Sequence, residues 1–268
     1  MRAPEIIGAN LGVNAADTSM TDVPHVGDPG NTFSSTFTEL TASSDYDACG
    51  ALLYVRADPG NAGNSVNQLK LYAGASGSET EFLHVIGPAN LFETGLQLHV
   101  PIPIPAGTRI TAKSASFGGF RSTECSLKLI RGSVGDGMHV SRGTIVGLNA
   151  GAMIDVDAGA TANTKGAWTL IETSTPRDAK GFTLLVTQDL SDGSGCRYLV
   201  DLAVGPAFSE VIIFPDAFLL GVGSLPRSSS HGPVWTPIPA GSRLSARAAC
   251  SVTTATSRVP LVAAILWE

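Results

Sequence analysis

A long internal repeat is the feature that most restricts how this 268-residue chain can fold. The segment Pro103-Ile104-Pro105-Ala106-Gly107-Thr108-Arg109 returns at positions 237–243 with six of seven residues identical. Between residues 37 and 80, a shift of 131 positions gives twelve identities in 44 ungapped comparisons, against about three expected from ordinary composition. A period of about 130 residues is the size of a whole domain, well above the 20 to 50 residues of solenoid repeats. The chain is therefore predicted to contain two domains of the same fold.

The repeat covers nearly the whole chain. At its start, Ile6-Ile7-Gly8-x-Asn10-x-Gly12 matches Ile145-Val146-Gly147-x-Asn149-x-Gly151 at a shift of 139. A Gly-rich stretch at residues 132–143 separates the copies. We predict a first domain at residues 1–134, a linker at 135–143 and a second domain at 144–268.

Composition places both copies in the all-β class. Only 15% of residues are charged, 43% are hydrophobic, and the chain has 30 glycines and 16 prolines, so good helix formers are scarce. Alternation of apolar and polar residues predicts short strands. In the first copy these are Glu5–Gly12, Phe37–Ala42, Ala51–Ala57, Gln68–Ala73, Glu81–Ile86, Leu96–Ile104, Arg109–Ala115 and Ser126–Arg131. In the second they are Trp168–Thr173, Thr183–Gln188, Tyr198–Val204, Val211–Phe214, Pro233–Ile238, Arg243–Ala249 and Leu261–Trp267.

Eight short strands in one copy suit an antiparallel two-sheet sandwich. Loops such as Asp58-Pro59-Gly60-Asn61 supply the turns, and we predict two tandem, duplicated β-sandwiches of jelly-roll type. A seven-stranded immunoglobulin-like sandwich is the alternative, but the expected Cys, Trp, Cys spacing is missing. The segment Leu96–Ile104 alternates most clearly, yet Pro101 and Pro103 cannot donate to a sheet ladder. That segment is predicted to lie at a sheet edge or end.

Charge and hydropathy exclude several kinds of partner. The net charge is −6, and the 17 basic residues are scattered singly, so no nucleic-acid partner is expected. No stretch reaches 18 uninterrupted apolar residues, so no membrane insertion is expected. The first residues lack the apolar core of a signal peptide, which argues against Sec export.

The four cysteines leave two thiol states open. Each copy has two, at Cys49 and Cys125 and at Cys196 and Cys250, but none aligns with another cysteine in the repeat. A bridge inherited by both copies is therefore excluded. Buried free thiols are the favoured interpretation and one bridge within each copy is the alternative.

Searches for reactive groups give no catalytic, cofactor or metal site. The segment Gly74–Ser78 has the wrong spacing for a nucleophile elbow, and the five histidines, including His84 and His99, have no metal-ligand spacing. Three carboxylate pairs could in principle serve a glycosidase, and residues 189–193 could hold calcium; turn geometry explains them better. The pairs are Asp45 with Asp47, Asp155 with Asp157, and Asp189 with Asp192. We predict that the protein is not an enzyme.

Two charged positions are retained in both copies. Glu79 and Glu210 precede one strand, and Arg109 and Arg243 precede another. We predict an ion pair within each sandwich, Glu79 with Arg109 and Glu210 with Arg243, as part of the framework. In the Pro-Ala-Gly turn before each arginine, Pro fixes φ and Gly supplies a left-handed conformation.

These framework motifs carry a resemblance. The second copy has Asp-Ala-x-Gly from Asp178, Val-Gly-x-x-x-Ser-Glu-Val-Ile-Ile from Val204, and Pro-Ile-Pro-Ala-Gly-Ser-Arg-Leu-x-Ala-Arg from Pro237. The set resembles tandem β-sandwich virion proteins of tailed bacteriophages, and the first copy departs from it at residues 77–82 and 111–113. The resemblance implies a structural or accessory virion protein, such as a capsid decoration, collar or tail-associated component, assembled in the host cytoplasm. Its implied partners are other capsid or tail proteins and further copies in a homo-oligomer.

A lectin-like module that binds a host surface glycan is the alternative function. Aromatic residues near loops could stack on sugar faces, with Trp235 and Tyr46 as the main candidates. Phe117 and Phe120 are also possible, whereas Trp168 aligns with Phe37 on a strand and is expected in the core. The copies differ most at residues 13–31 and 221–232, which are predicted to be contact loops.

Overall fold

The protein consists of β-strands joined by turns, as its composition predicts. A computed structural model describes residues 10–11, 13–14, 19–24, 32–57, 66–87, 95–117, 123–132, 140–149, 152–188, 196–220, 228–255 and 258–268. Within these ranges there is no helix, and therefore none that could span a membrane. The all-β prediction is confirmed.

The chain divides into two compact units. The first contains Met1–Thr144 together with Trp267, and the second contains Ile145–Leu266 together with Glu268. Residues 135–139 of the predicted linker lie outside the described residues. Of the remainder, Val140 is buried and Gly143 pairs with Leu83, so these residues are part of the first unit's structure.

Two sheets form the first unit. Its strands are β1 (Asn10–Leu11), β2 (Val13–Asn14), β3 (Ser19–Val23), β4 (Thr38–Thr41), β5 (Ala48–Ala57), β6 (Val66–Ala73), β7 (Thr80–Gly87), β8 (Leu96–Val100), β9 (Ile110–Phe117) and β10 (Thr123–Arg131). One sheet has the order β2-β3-β10-β5-β8, with β1 also paired to β10, and the other has the order β7-β6-β9-β4. All these pairings are antiparallel.

The second unit repeats this arrangement. Following β11 (Gly143–Val146), its strands are β12 (Leu148–Asn149), β13 (Ala152–Asp155), β14 (Thr169–Glu172), β15 (Gly181–Gln188), β16 (Arg197–Val204), β17 (Val211–Leu220), β18 (Ser228–Val234), β19 (Leu244–Cys250) and β20 (Pro260–Trp267). One sheet contains β12-β13-β20, with β15 paired to both β20 and β18, and the other has the order β14-β19-β16-β17.

The strand order is the same in both units. If strands β3 to β10 are renumbered 1 to 8, the two sheets of the first unit have the strand orders 1-8-3-6 and 2-7-4-5. Renumbering β13 to β20 in the same way gives the same two orders for the second unit. This connectivity is the one that we expect of an eight-stranded jelly-roll sandwich. Corresponding strands also keep the sequence offset, since β4, β6 and β7 begin 131 residues before β14, β16 and β17.

Prolines and a bulge account for strand ends that the sequence pattern placed wrongly. β8 stops at Val100, before Pro101 and Pro103, and Ile104 makes only an isolated bridge to Ala48. As predicted, β8 lies at a sheet edge. β17 runs beyond the predicted Phe214 to Leu220 because its pairing with β16 shifts register around Pro215 and Asp216.

The predicted contact loops contain more sheet than expected. Residues 13–31 include β2 and β3, and residues 221–232 include the first residues of β18. The Ser-Ser-Ser-His-Gly sequence of β18 has no apolar alternation, so pairing with β15 sets its conformation. The predicted strand at Pro233–Ile238 is displaced to Ser228–Val234. Residues 15–18, 25–31 and 221–227 lie outside the described part.

The core of each unit lies where its sheets bury their apolar faces. In the first unit, alternate residues of β8 and β10 are buried, as period-two patterning predicts. In the second unit one cluster joins β15 and β20 of one sheet to β16 and β19 of the other, with Phe182 and Tyr198 as its largest members. Such burial supplies the main driving force for folding.

Candidate functional site

Both predicted ion pairs are present in the structure. Arg109 Nη1 donates to Glu79 Oε1 at 2.7 Å, and its Nε donates to Glu39 Oε2 at 2.8 Å. In the second unit Arg243 Nη1 donates to Glu210 Oε1 at 3.2 Å. Backbone N–H groups at Glu79 itself, followed by Arg109, hold the pKa of Glu79 below its ordinary value. The pairs join the turn before β7 or β17 to the turn before β9 or β19.

The Pro-Ile-Pro-Ala-Gly turn is held by the same hydrogen bonds in both copies. Asp47 Oδ1 accepts from Ala106 N at 2.8 Å, and Asp178 Oδ1 accepts from Ala240 N at 2.7 Å. Ser44 and Thr175 take equivalent places, each donating its hydroxyl to the second proline's carbonyl. Gly107 and Gly241 have φ of 80° and 79°, a region that favours glycine. These motifs serve the backbone framework.

Two of the carboxylate candidates, Asp47 and Asp157, are engaged with backbone or arginine. Asp47 binds the turn described above, and Asp157 accepts from Gly159 N and pairs with Arg258. The pair Asp189 and Asp192, with the candidate calcium loop, lies outside the described residues. Within the described ranges no group of three His, Cys, Asp or Glu side chains could hold a metal ion.

His84 and His99 lie in different sheets, so they do not meet across one sheet. Burial, helped by Lys70 and Arg142, lowers the pKa of His84 to about 3. Its Nε2 lies 2.8 Å from Gln68 Oε1, and its ring packs edge-on against Phe33. Burial also lowers the pKa of His99. His84 is therefore a neutral structural histidine.

The cysteines lie at core or near-core positions. Cys49 and Cys125 are free thiols, and burial raises the pKa of Cys125 to about 12. Cys196 is buried and donates to Tyr198 Oη at 2.7 Å, while Cys250 is buried in the same core. A buried thiol with a raised pKa is a poor nucleophile.

The two glycan-stacking candidates belong to different units. Tyr46 is half-buried with the Arg131 guanidinium 5.6 Å from its ring centre. Trp235 follows β18 in the second unit and is 40% exposed. Of the other aromatic candidates, Phe120 and the side chain of Phe117 lie outside the described part.

The expectation that Trp168 lies in the core is wrong. Its side chain is half-buried, and the guanidinium of Arg247 lies 4.5 Å from its ring centre. At the corresponding positions of the first unit, Lys113 Nζ lies 3.9 Å above the ring of Phe37. A cation therefore covers the aromatic residue in both copies, an arrangement that allows a cation–π interaction.

Near Trp168, the buried carboxylate of Asp201 binds two cationic side chains and a backbone N–H. Asp201 accepts from Lys165 Nζ at 2.7 Å, from Arg247 Nε at 2.9 Å and from the backbone N of Asp216 at 2.9 Å. Burial is the largest single effect on the pKa of Asp201 and acts to raise it. The hydrogen bonds together outweigh burial, so the pKa lies below its ordinary value. The corresponding residue in the first unit is Lys70, which pairs with Glu81 at 3.0 Å.

The sequence pattern did not predict a group of exposed apolar side chains in the second unit. Nine large hydrophobic side chains are exposed in the described ranges, and eight of them lie in the second unit. Six of the eight lie on β17 or on the neighbouring strand and turn, and we call them the β17 patch: Leu199, Phe208, Val211, Ile212, Phe218 and Leu220. Leu199 and Phe218 also line a depression of about 270 Å³. A comparison of the two copies in sequence could have indicated these exposed side chains, because Val211 and Ile212 align with the polar residues Thr80 and Glu81.

Phe208 combines full exposure with an unfavourable backbone conformation. It lies in the turn between β16 and β17 with φ of 67°, and its side chain is fully exposed. The corresponding residue in the first unit is Gly77, whose φ is 84°. A bulky residue at positive φ costs about 1–2 kcal/mol. Such strain, with no burial to offset it, is typical of positions retained for function.

Comparisons with known proteins leave the function open. No protein-family model and no curated protein matches the chain. A crystal structure of tripeptidyl peptidase 2 is similar at a TM-score of 0.27 and 12% identity, covering 94% of this chain, which spans only 22% of that protein. The CBM22-1–CBM22-2 tandem domain of Paenibacillus barcinonensis Xyn10C gives 0.25 and 11%, covering 87% and 82% of the two chains. The VP2 subviral particle of infectious bursal disease virus gives 0.19 and 12%, covering 84% and 58%. Similarity at these scores supports no conclusion about fold or function.

Proposed function

We propose that this protein is a non-enzymatic structural or accessory virion component that assembles through surface complementarity. The β17 patch is the observation that carries the proposal. Singly scattered apolar side chains are normal on soluble monomers, whereas six exposed ones along one strand and its neighbouring strand and turn favour a site of interaction. Phe208 strengthens this interpretation because its exposure and its positive φ both oppose stability.

The kind of particle is proposed from the sequence motifs. The framework that resembles phage virion modules includes Asp178, the Glu210–Arg243 pair and the turn ending at Gly241. In the structure these residues hold strands and turns in place. We therefore propose a capsid decoration, collar or tail-associated protein of a tailed phage, whose duplicated framework positions the β17 patch for contact with other virion proteins.

Locating the chain in particles tests this function. Phage particles of the encoding genome would be purified on a density gradient and digested for mass spectrometry. We expect peptides of this chain to co-sediment with the particles in a fixed ratio to capsid or tail proteins, and cross-links to involve the second unit. Recovery of the chain only in the soluble fraction would contradict the proposal.

Glycan binding is the second candidate, because Trp235 is an exposed aromatic beside a sheet end. An apolar ring with one free face can stack on a sugar. A glycan array with the intact protein and the Trp235→Ala variant tests this function, with Trp168→Ala as a control whose ring is already covered by Arg247. Binding lost only in Trp235→Ala would favour glycan recognition, and no binding by the intact protein would exclude it for the glycans on the array.

A further inference from the structure

The depression beside Leu199 lies on the outer face of the four-stranded sheet of the second unit. Leu199 on β16 pairs with Ala249 on β19 and with Phe218 on β17, so these three residues form a row across the sheet. The sequence neighbours of Leu199, Tyr198 and Val200, belong to the buried core. Because side chains alternate between the two faces of a strand, the row lies on the opposite face and supplies the apolar floor of the depression.

The corresponding row in the first unit is covered. Gln68 on β6 pairs with Ala115 and with Ile86, which gives it the same two neighbouring strands as Leu199. Gln68 and Ile86 are each only 3% exposed, whereas Leu199 is 38% and Phe218 is 49% exposed. The same place in the sandwich is therefore closed in the first unit and open to contact in the second.

Arg197 adds a positive charge at one end of this apolar floor. It lies two residues before Leu199 on β16, and it lines the depression. Its backbone N–H donates to Ser251 Oγ at 3.0 Å, which holds this end of β16. The residue at the position of Arg197 in the first unit is Val66. The charge is thus a property of the second unit alone.

The other charges on this face balance one another. Asp201 pairs with Lys165 at 2.7 Å and with Arg247 at 2.9 Å, and Lys165 also pairs with Asp216 at 2.9 Å. Two carboxylates therefore face two cations. Among the ion pairs in the described part of the chain, none includes Arg197. A ligand on the apolar floor therefore meets a positive charge that no carboxylate neutralises.

We propose that this depression binds an acidic, apolar segment of a partner protein. A carboxylate of the segment pairs with Arg197, and an apolar side chain two residues away packs on Leu199 and Phe218. In an extended segment, residues i and i+2 lie on the same side, which matches the spacing of Arg197 and Leu199 along β16. The proposal rests on the proposed function, because it states the chemistry of a partner for the β17 patch.

The surroundings of the depression favour a protein segment over a sugar. Leu220 pairs with Arg197 and is 46% exposed, so the apolar surface continues past the arginine with an aliphatic side chain. Arginine and phenylalanine are enriched where proteins contact each other. The volume of about 270 Å³ is below the roughly 300–1,000 Å³ of small-ligand pockets. A depression of this size suits one side chain of a longer segment.

Capped peptides titrated into the intact, isotope-labelled chain test the proposal by NMR. The first probe is acetyl-Ser-Glu-Thr-Leu-Thr-Ser-amide, with Glu and Leu two residues apart, and the matched probe has Gln in place of Glu. We expect the first probe to shift the backbone amides of Arg197, Leu199 and Phe218 and to bind about threefold more tightly than the second. A third probe with Ser in place of Leu should bind at least ~10-fold more weakly than the first.

Two substitutions locate the binding, each with a matched control in the same unit. Arg197→Gln should bind the Glu and Gln peptides equally, whereas Arg177→Gln, which removes an arginine outside the depression, should keep the preference. Leu199→Ser should weaken both peptides, and Leu170→Ser should not, although Leu170 is similarly exposed at 41%. Amide spectra of the free variants would establish that each is folded.

Three results would overturn the proposal. One is the absence of shifts at these amides up to the highest soluble concentration of the Glu peptide. Another is a preference for Glu over Gln that persists in Arg197→Gln. The third comes from glucuronate, an acidic sugar, titrated in the same way. If glucuronate shifts these amides and the peptides do not, the depression recognises a sugar instead of a protein segment.

The outcomes also separate this proposal from the proposed function. If the chain is present in purified particles and cross-links through the second unit, but does not bind the Glu peptide, the structural function stands and the acidic partner is rejected. If the chain is absent from particles and its binding of the Glu peptide depends on Arg197, the virion role is rejected and the site stands.

Discussion

Strands β7 and β17 occupy the same place in their units, yet their outer edges have opposite character. β7 begins Thr-Glu, Glu81 is bound by Lys70 and Arg142, and Leu83 pairs with Gly143. β17 begins Val-Ile, exposes both side chains and pairs on one side only in the described ranges. Soluble proteins usually protect an edge strand with charges, bulges or cover. The first copy has such protection along its edge, whereas in the described part of the second copy it is found around Pro215 and at Phe218, whose backbone hydrogen-bonds to His231.

The contrast is informative because the hydrogen bonds that hold the turns are the same in the two units. The hydrogen bonds of the two Pro-Ala-Gly turns match to within 0.1 Å for the aspartates, 2.8 Å in one unit and 2.7 Å in the other. Both copies therefore keep the residues that hold the turns, while residues along one edge are polar in the first unit and apolar in the second. The first set is explained by the hydrogen bonds that hold the turns, and the second set is the one on which the proposed function rests.

Acid should destabilise the first unit through His84, which has no titratable counterpart because the corresponding residue is Pro215. Its folded pKa of about 3 lies below the ordinary 6.5. Between these two pH values the unfolded chain is protonated at His84 and the folded protein is not. The free energy of unfolding is therefore highest above about pH 6.5 and decreases as the pH falls towards 3. The slope approaches about 1.4 kcal/mol per pH unit.

Hydrogen exchange monitored by mass spectrometry between pH 7 and pH 4 would locate this loss. We expect opening free energies to fall more steeply in β6 and β7 than in β16 and β17, and His84→Gln to reduce the slope. His99 acts with the same sign in the first unit, and His231 in the second, since burial lowers both pKa values. If the opening free energies fall equally steeply with decreasing pH in both units, His84 does not have the effect that we expect.

Asp201→Asn should lower the free energy of unfolding by about 2 kcal/mol. The substitution removes the charge that Lys165 and Arg247 share, in a side chain only 4% exposed. Both cations are partly exposed and can be hydrated, which keeps the loss below the 3–5 kcal/mol of a fully buried pair. Lys70→Met, at the corresponding position, should cost less than about 1 kcal/mol because both members of its pair are partly solvated.

Urea unfolding at pH 7 and at pH 3 would measure both variants. The pKa of Asp201 is lowered in the folded state, so its contribution is present above the unfolded pKa near 4 and disappears as pH falls through the folded pKa. The difference between the intact protein and Asp201→Asn should therefore shrink at pH 3. A difference that is unchanged between the two pH values would show that the charge is not responsible.

Arg109→Met should lower the thermal midpoint more than Arg243→Met. Arg109 contacts two carboxylates, at 2.7 and 2.8 Å, whereas Arg243 contacts one at 3.2 Å and the Gly205 carbonyl at 3.4 Å. Methionine keeps much of the apolar length and removes the charge. Differential scanning calorimetry of both variants tests the ranking. An unchanged midpoint for Arg109→Met would contradict a stabilising role for the ion pair between Glu79 and Arg109.

The sequence predicted those features that depend on local pattern and on the repeat. Alternation located β6, β16 and β20 to within one or two residues, and the retained Glu and Arg positions indicated the contacts between Glu79 and Arg109 and between Glu210 and Arg243. β18 was misplaced because pairing with β15 sets the conformation of a polar sequence.

Features set by long-range packing could not be predicted in the same way. The contacts of Asp201 join three separate segments, and the cover over Trp168 comes from Arg247 on a different strand. Comparing the copies shows that Val211 and Ile212 replace polar residues, but only the strand order shows that they lie on an edge strand.

Phe208→Gly should stabilise the second unit while weakening association. Glycine at φ of 67° relieves strain of about 1–2 kcal/mol, and its greater freedom in the unfolded chain offsets part of that gain, leaving about 0.5 kcal/mol. The reciprocal Gly77→Phe should destabilise the first unit by a similar amount, since nothing lies within 4 Å of a side chain added there. Urea midpoints give the stabilities and sedimentation velocity gives the association. Loss of stability in Phe208→Gly would show that the ring makes a contact in the folded monomer, whereas a gain in stability with weaker association would show that the strained ring is retained for binding.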